Sequence, residues 1–355
     1  MGSADIVPGV SGGTMALILG IYERLIDAIK SVDIPFLKAL FTLKWKLAFS
    51  RVHLFFIVIL FSGIFSALAF FTKIVPLQIY MFTHPETVYG LFFGLIVGSI
   101  YILYKELEAF GWKEGGSLIF GIAFGLWIVN LVPADTPEHP LFVFLSGCIA
   151  ICAMILPGIS GSYLLLIMRK YDYLLSQIGL IGGTDTVEGM IGLLPFIAGA
   201  ITGLTLFSRV LSWLLKKYHA QTIALLIGFL IGSLYVIWPY QHREFEEHVR
   251  AVNRVEATSE KVTKLKKNPP NENLPEFERL GDTLNAEAAF DDMKQVEVLT
   301  IKKKLIKSEP YIPAGWNSTP AATPDVWGGI IGMTIGLVLV GGLEQLRYQG
   351  QEQEE

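Results

Sequence analysis

Long apolar runs separated by short polar ones dominate the pattern along the chain. A helix needs about 20 apolar residues to cross the hydrocarbon core of a bilayer. Six runs come close to that length: 54–75, 88–104, 117–133, 190–215, 222–239 and 326–346. Two further apolar stretches are interrupted, 1–21 by Pro8-Gly9 and Gly12-Gly13, and 141–168 by Pro157-Gly158 and Gly161. Proline removes a backbone donor and clashes with the preceding turn, and glycine frees the backbone, so neither stretch is expected to run as one helix. Each is expected to be a re-entrant or unwound element.

The polar segments carry a side preference, because Lys and Arg in short loops mark the cytoplasmic face. Lys30, Lys38, Lys44, Lys46 and Arg51 put the loop before residue 54 in the cytoplasm. The 76–87 loop has no Lys or Arg, the next carries Lys105 and Lys113, and 134–140 again has none. Further on, 182–189 is acidic without a base, Lys216 and Lys217 follow the next run, and Arg347 follows the last. The first three crossings therefore run in to out, out to in, in to out, and the last three out to in, in to out, out to in, provided that 141–170 enters and leaves at the outer face as a hairpin.

Between 241 and 325 the sequence turns polar. The charged stretch 242–267 is expected to form a surface helix, followed by a Pro- and Asn-rich connection over 268–275. The sidedness makes this segment periplasmic, either a variable insertion or a docking element for a partner. Over 34–50, lysines at 38, 44 and 46 interleave with Phe36, Leu40, Phe41 and Trp45, the pattern of an interfacial helix on anionic lipid. The organisation expected is a first membrane repeat over 1–140, the first part of a second over 141–240, the polar insertion at 241–325, a last transmembrane helix at 326–348 and a polar tail at 349–355.

The repeat itself is visible as self-similarity. Ala4-Asp5-Ile6-Val7-Pro8-Gly9-Val10-Ser11-Gly12 returns as Ala153-Met154-Ile155-Leu156-Pro157-Gly158-Ile159-Ser160-Gly161, an offset of 149 residues. The same offset superposes Leu17 on Leu166, Tyr22 on Tyr171 and Glu23 on Asp172. With small gaps, Gly94 and Gly98 match Gly228 and Gly232, while Gly121 and Gly125 match Gly332 and Gly336. Each copy holds one broken segment and three spans, and an odd number of crossings inserts the second copy upside down. The fold class expected is an all-α polytopic membrane protein of two inverted repeats, each a re-entrant broken helix plus three transmembrane helices, an architecture used by transporters. A duplicated scaffold without transport is the plain alternative. The first motif begins almost at Met1 whereas the second follows an apolar arm, so the descending arm of the first hairpin is expected to be short or missing.

A Pro-Gly-x-Ser-Gly break followed by a helix leaves the first N–H groups of that helix unpaired beside the positive end of its dipole, which suits an anion. Ser11, Gly12, Gly13 and Thr14, with Ser160, Gly161 and Ser162, could thus offer N–H and hydroxyl donors to a phosphate from two sides, on backbone shaped by Pro8, Gly9, Pro157 and Gly158. The packing alternative is that small residues only let two hairpins cross closely. Asp5 is an acid beside a break in an apolar run and a candidate for a coupling proton or sodium ion, although its counterpart is Met154. Glu23, Arg24, Arg169 and Asp172 lie at the far ends of the half-helices. The two bases there, with Lys170, could attract a lipid phosphate or simply snorkel to the interface.

Composition agrees with lipid as the main solvent: 52% hydrophobic residues, 12% aromatics and a mean hydropathy of +0.51 leave no room for an ordinary soluble core. The net charge of −4 conceals a segregation of charge into the stretch at about 241–310, so it says little about partners and does not suggest nucleic acid. Cys148 and Cys152, four apart, share a helix face and suit packing; no metal or cofactor set accompanies them. The first 30 residues lack a basic n-region and a small-residue cleavage site, so insertion is expected to rely on the spans. Gly9-Val10-Ser11-Gly12-Gly13 fits the pattern of a serine nucleophile elbow. The six histidines, however, fall in loops or near span ends, and no catalytic residue is assigned.

The first motif with Gly20-Ile21-Tyr22-Glu23-Arg24-Leu25, taken together with Leu156-Pro157-Gly158-Ile159-Ser160-Gly161-Ser162, resembles the bacterial polyprenyl-phosphate transporter family, the undecaprenyl-phosphate translocases formerly classed as a domain of unknown function. The resemblance covers nearly the whole chain outside 241–325, although members usually carry more residues before the first motif. It implies a multi-pass protein of the cell inner membrane, not an enzyme. Such a flippase returns undecaprenyl phosphate to the cytoplasmic leaflet for reuse in envelope glycan synthesis, with that lipid and the surrounding membrane lipids as partners. The oligomeric state is left open. An ion or small-anion secondary transporter of the same architecture and a membrane lipid-phosphate enzyme are the competing expectations.

Overall fold

The computed structural model describes residues 1–5, 11–31, 36, 42, 44, 53–105, 107, 110–131, 136–183, 185–256, 259–268, 270–272, 274–281, 295–313 and 325–352. Pro8, Gly9, the side chain of Asp5 and most of the interfacial helix expected over 34–50 lie outside the described residues.

The chain begins with three short helices, α1 (Gly2–Asp5), α2 (Gly12–Ile18) and α3 (Tyr22–Lys30). There follow α4 (Leu54–Lys73), α5 (Leu77–Thr83), α6 (Pro85–Lys105) and α7 (Trp112–Val129). A second series runs α8 (Pro140–Ile155), α9 (Gly161–Ile167), α10 (Lys170–Leu180), α11 (Thr186–Lys217) and α12 (His219–Ile237). The polar segment holds β1 (Gln241–Glu256), α13 (Glu260–Lys267), β2 (Glu276–Leu280) and β3 (Gln295–Pro310), and the chain returns as α14 (Val326–Glu352).

Among the described residues, α4, α6, α11, α12 and α14 are long and apolar enough to cross a membrane, so the protein is a polytopic membrane protein. The sixth expected crossing, 117–133, differs in degree. Its helix α7 is 18 residues long, and its first turn carries Lys113 and Glu114, which leaves a shorter apolar length. α14 also runs past the expected boundary at 348, to Glu352.

Burial sorts the spans. α6 and α12 are the most enclosed, while α4 has no buried residue and turns Phe55 and Phe65 outward. α6 packs against α14, α7 against α12, α6 against α12, and α8 against α11. Close backbone approach at small residues makes these pairings. A side chain on Gly94 would strike the Met333 carbonyl, and one on Gly228 would come within 2.5 Å of the Leu118 carbonyl. Cys148 and Cys152 lie on the face of α8 that meets α11, with Cys148 Sγ 3.0 Å from the Gly199 carbonyl.

The all-α expectation fails in the polar segment. Residues 241–256 form a strand, and among the described residues of this segment only Glu260–Lys267 is helical. β1, β3 and β2 make an antiparallel sheet in the order β1-β3-β2, with Val249 opposite Ile301 and Val255 opposite Val296. A bulge between Val249 and Ala251 adds one residue to β1, so Val249 and Val252 share a face although three positions apart, a spacing that in sequence reads as helical. Charges that read as the solvated side of a helix instead pair across the sheet: Arg254 with Glu297 at 3.1 Å and Arg279 with Glu247 at 3.1 Å. Val262, Val296 and Val298 give the sheet a small core of its own. At its base, the Arg243 guanidinium lies 4.1 Å from the centre of the Tyr89 ring. Burial pushes the pKa of this guanidinium down, and the neighbouring Tyr89, Glu86 and Tyr311 partly offset the shift.

Candidate functional site

The second broken segment is where the molecule must solve a hydrogen-bonding problem. α8 stops at Ile155, Leu156 is extended, Gly158 has a positive φ of 82°, and α9 starts at Gly161 behind Ser160. The carbonyls at the end of α8 and the N–H groups of the break have no helical partner, and away from water each must find another. The first motif supplies them. Ser11 Oγ lies 3.2 Å from the Met154 carbonyl and 3.4 Å from that of Leu156, the Tyr22 hydroxyl donates to the Ile155 carbonyl at 3.1 Å, and Gly158 N–H donates to Thr14 Oγ1 at 2.9 Å. Ser11 also caps its own helix α2, accepting from Gly13 N–H at 3.1 Å.

The fit is close at the glycines. A Cβ on Gly13 would lie 2.5 Å from the Ile155 carbonyl oxygen, and one on Gly161 would lie 2.5 Å from that of Ala150. Gly158 has both a conformation that side chains rarely adopt and a near contact, 2.7 Å from a would-be Cβ to the Phe229 carbonyl.

The structure therefore brings the two motifs together, but the two sets of donors are not alike. Ser11 and Thr14 are 3% and 1% exposed, and their hydroxyls are occupied by the opposite break. In the conformation described, these hydroxyls serve backbone groups. Ser160 caps α9 through Tyr163 N–H at 3.4 Å and lies 3.0 Å from the hydroxyl of Ser162, which is exposed. A cavity of about 20 Å³, room for roughly one water, opens beside Ser160, Tyr163 and Val236. The Tyr163 hydroxyl closes its wall by donating to the Val129 carbonyl at 2.8 Å.

The charged candidates other than Asp5 sit away from the breaks. Glu23 pairs with His219 at 3.2 Å, and the Arg24 guanidinium lies 4.7 Å from the centre of the Phe56 ring. Arg169 follows α9 with a left-handed φ of 50°, and Asp172 occupies the first turn of α10; both are exposed. Sequence reasoning underrated Lys170, which is only 2% exposed and donates to the Thr136 carbonyl at 2.8 Å. Thr136 Oγ1 in turn donates to the Met168 carbonyl at 2.6 Å, so both ends of the α8–α9 hairpin are tied together. It also missed the cluster in which Ser212 receives a bond from Lys30 at 3.1 Å and donates to Asp27 at 3.1 Å. A polar residue at a span end carries no signal of its own for such a contact.

A family model described as undecaprenyl phosphate translocase-like matches residues 1–253. The chain belongs to this family. Two proteins similar to it each bear the name polyprenyl-phosphate transporter. The one from Vibrio cholerae is 39% identical over 246 residues, which is 68% of this chain and 75% of that protein. The one from Staphylococcus aureus is 30% identical over 251 residues, 67% of this chain and 83% of that protein. No solved structure matches the chain significantly. Membership in the translocase-like family makes the protein a transporter rather than an enzyme.

Proposed function

We propose that this protein moves a polyprenyl phosphate, most simply undecaprenyl phosphate, across the bacterial inner membrane and returns it to the cytoplasmic leaflet for reuse in envelope glycan synthesis. The names of the two similar transporters support the lipid. The observation that carries the mechanism is the interlock of the motifs, in which hydroxyls of Ser11, Thr14 and Tyr22 serve the break at 154–158. Bonds of this kind exchange readily for a phosphate oxygen or a water, because each is worth only about 0.5–1.5 kcal/mol net.

In this reading the phosphate meets Ser160, Gly161 and Ser162 first, since Ser162 is exposed. Release of Ser11 and Thr14 from the break then opens Gly12, Gly13 and the second set of donors. Most of the prenyl tail stays in lipid. Asp5 is the candidate for a coupling proton or sodium ion; no other cofactor enters the proposal.

The inverted repeat belongs to the same proposal. Segments given to the cytoplasmic face by loop charge meet one another: Lys30 bonds Ser212, Glu23 pairs with His219, and Gln221 donates to Glu114 at 2.7 Å. Segments given to the outer face do likewise, with Phe82 packed on Phe245 and Thr136 bonded to Met168 and Lys170. The α8–α9 hairpin would then be re-entrant from outside. The pairing of α6 with α14 and of α7 with α12 also fits, because it couples the second span of each repeat to the third span of the other in reciprocal fashion.

The test is reconstitution in liposomes with a fluorescent polyprenyl phosphate and a leaflet-selective quencher. Protein-dependent equilibration of the probe supports the proposal. Equilibration of a small anion without the lipid would replace it with the anion-transporter reading, and release of inorganic phosphate would replace it with an enzyme.

A further inference from the structure

A second, larger cavity lies apart from the motifs, where the chain leaves α12 and where it comes back from β3. Its volume is about 470 Å³, and its walls include Phe93 of α6, Leu234 and Tyr235 of α12, Trp238, Tyr311 and Ile312. That volume is within the roughly 300–1,000 Å³ of small-molecule sites. Among the described residues, no charged side chain lines it. The indole N–H of Trp238 is committed to the Tyr311 carbonyl at 2.9 Å, and Tyr311 N–H donates to the Tyr240 carbonyl at 3.0 Å. The Phe93 and Trp238 rings meet edge-on at 5.3 Å. A hydrogen bond thus ties the two sides of the wall, Trp238 and Tyr311, to each other. The mouth is apolar, with Ile312 70% and Tyr235 41% exposed.

We propose that this cavity binds isoprene units of the transported lipid while its phosphate is at the outer face, a tail subsite separate from the head-group donors. The inference rests on the reading of the chain as a polyprenyl-phosphate transporter. An interior without charge rejects a head group and accepts hydrocarbon. Four aromatic rings suit the flat, methyl-bearing alkenes of a prenyl chain, which can lie against ring faces over much of their surface. The cavity also adjoins the candidate head site along α12. Tyr235 lines it, while the next residue, Val236, lines the small cavity against Ser160 and Tyr163. The same turn of α12 therefore faces both spaces, and a lipid lying across it would have its first isoprene units in one and its phosphate near the other.

This assigns a task to the polar insertion. Its sheet holds Pro310, Tyr311 and Ile312 against the end of α12, forming the outer wall of the cavity. These residues lie beyond the stretch matched by the family model, which stops at residue 253 within β1.

The experiment is photolabelling of the purified full chain in nanodiscs with farnesyl phosphate carrying a diazirine on its terminal isoprene, with adducts located by peptide mass spectrometry. Adducts are expected on Leu234, Trp238 or Ile312. Unlabelled geranylgeranyl phosphate should reduce them at least fivefold, and the same excess of phosphatidylglycerol should leave them within twofold. Leu234→Trp, which fills the cavity, should cut labelling of Trp238 and Ile312 severalfold. Ile312→Glu, at an exposed position that folding tolerates, should do the same by charging the mouth. Adducts confined to the lipid-facing side of α4, or equal competition by phosphatidylglycerol, would overturn the subsite. Lipid equilibration is read in parallel on the same preparation. Transport without cavity labelling removes the subsite alone, whereas selective labelling without transport removes the flippase reading and leaves a prenyl-binding pocket.

Discussion

Thr14 Oγ1 accepts a hydrogen bond from Gly158 N–H at 2.9 Å, joining two residues 144 positions apart at the centre of the two motifs. Gly158 stands where helix α8 has ended and α9 has not begun, so its N–H has no partner within its own segment. Thr14 is 1% exposed and supplies that partner from the other half of the chain.

Removing the hydroxyl at this point should be more costly than removing an ordinary one. Thr14→Val keeps the shape and strands a buried donor, with an expected loss of about 1–3 kcal/mol. Thr14→Ser keeps the acceptor and should lose far less. Thermal unfolding of the purified variants in detergent reads the difference, and equal losses would show that the bond does not hold the two breaks together.

Ser11→Ala and Ser160→Ala should separate a locking role from a binding role. Each removes a cap and its bonds, for about 0.5–1.5 kcal/mol. Loss of stability is expected chiefly for Ser11→Ala, whose hydroxyl bridges to Met154 and Leu156, and loss of affinity for prenyl phosphate chiefly for Ser160→Ala. Gly13→Val and Gly161→Val should be far more damaging than either, because a Cβ at each position lies 2.5 Å from a backbone oxygen. Similar small effects from all four would leave only a packing role for the motifs.

Topology is open to direct labelling. Single cysteines at Lys44 and Lys264 should react from opposite faces of the membrane, Lys44 from the cytoplasm and Lys264 from the periplasm. Reaction of both from one side would remove the inverted repeat from the proposal.

Recognition should depend on head charge more than on tail length. Uncharged prenols should fail to compete in the flipping assay, whereas shortened prenyl phosphates should compete. Inhibition by the free alcohol as strong as by the phosphate would remove the anion site, and with it the role given to Ser160, Gly161 and Ser162.

Much of this protein was legible without its structure because the relevant physics is local. The length of an apolar run decides whether a helix can cross lipid, and Pro157-Gly158 breaks a helix wherever it lies. Lys and Arg near a span end set its side without reference to any distant residue. Recurrence of Pro-Gly-x-Ser-Gly at an offset of 149 residues needed no coordinates either. The polar segment resisted because local spacing misled: Val249, Val252 and Val255 sit three apart and suit a helix until a bulge and a partner strand put Val249 and Val252 on one sheet face. Only the tertiary structure could decide how the motif hydroxyls are used. Ser11 and Thr14 bear the donors that an anion site needs, and the same groups are what a broken helix needs from its neighbour. Which of the two they serve depends on the approach of Met154 to Gly158, across more than 140 residues of intervening chain. The tail cavity is of the same kind, since Trp238 and Tyr311 become one wall only when a sheet brings the end of the insertion back to its beginning.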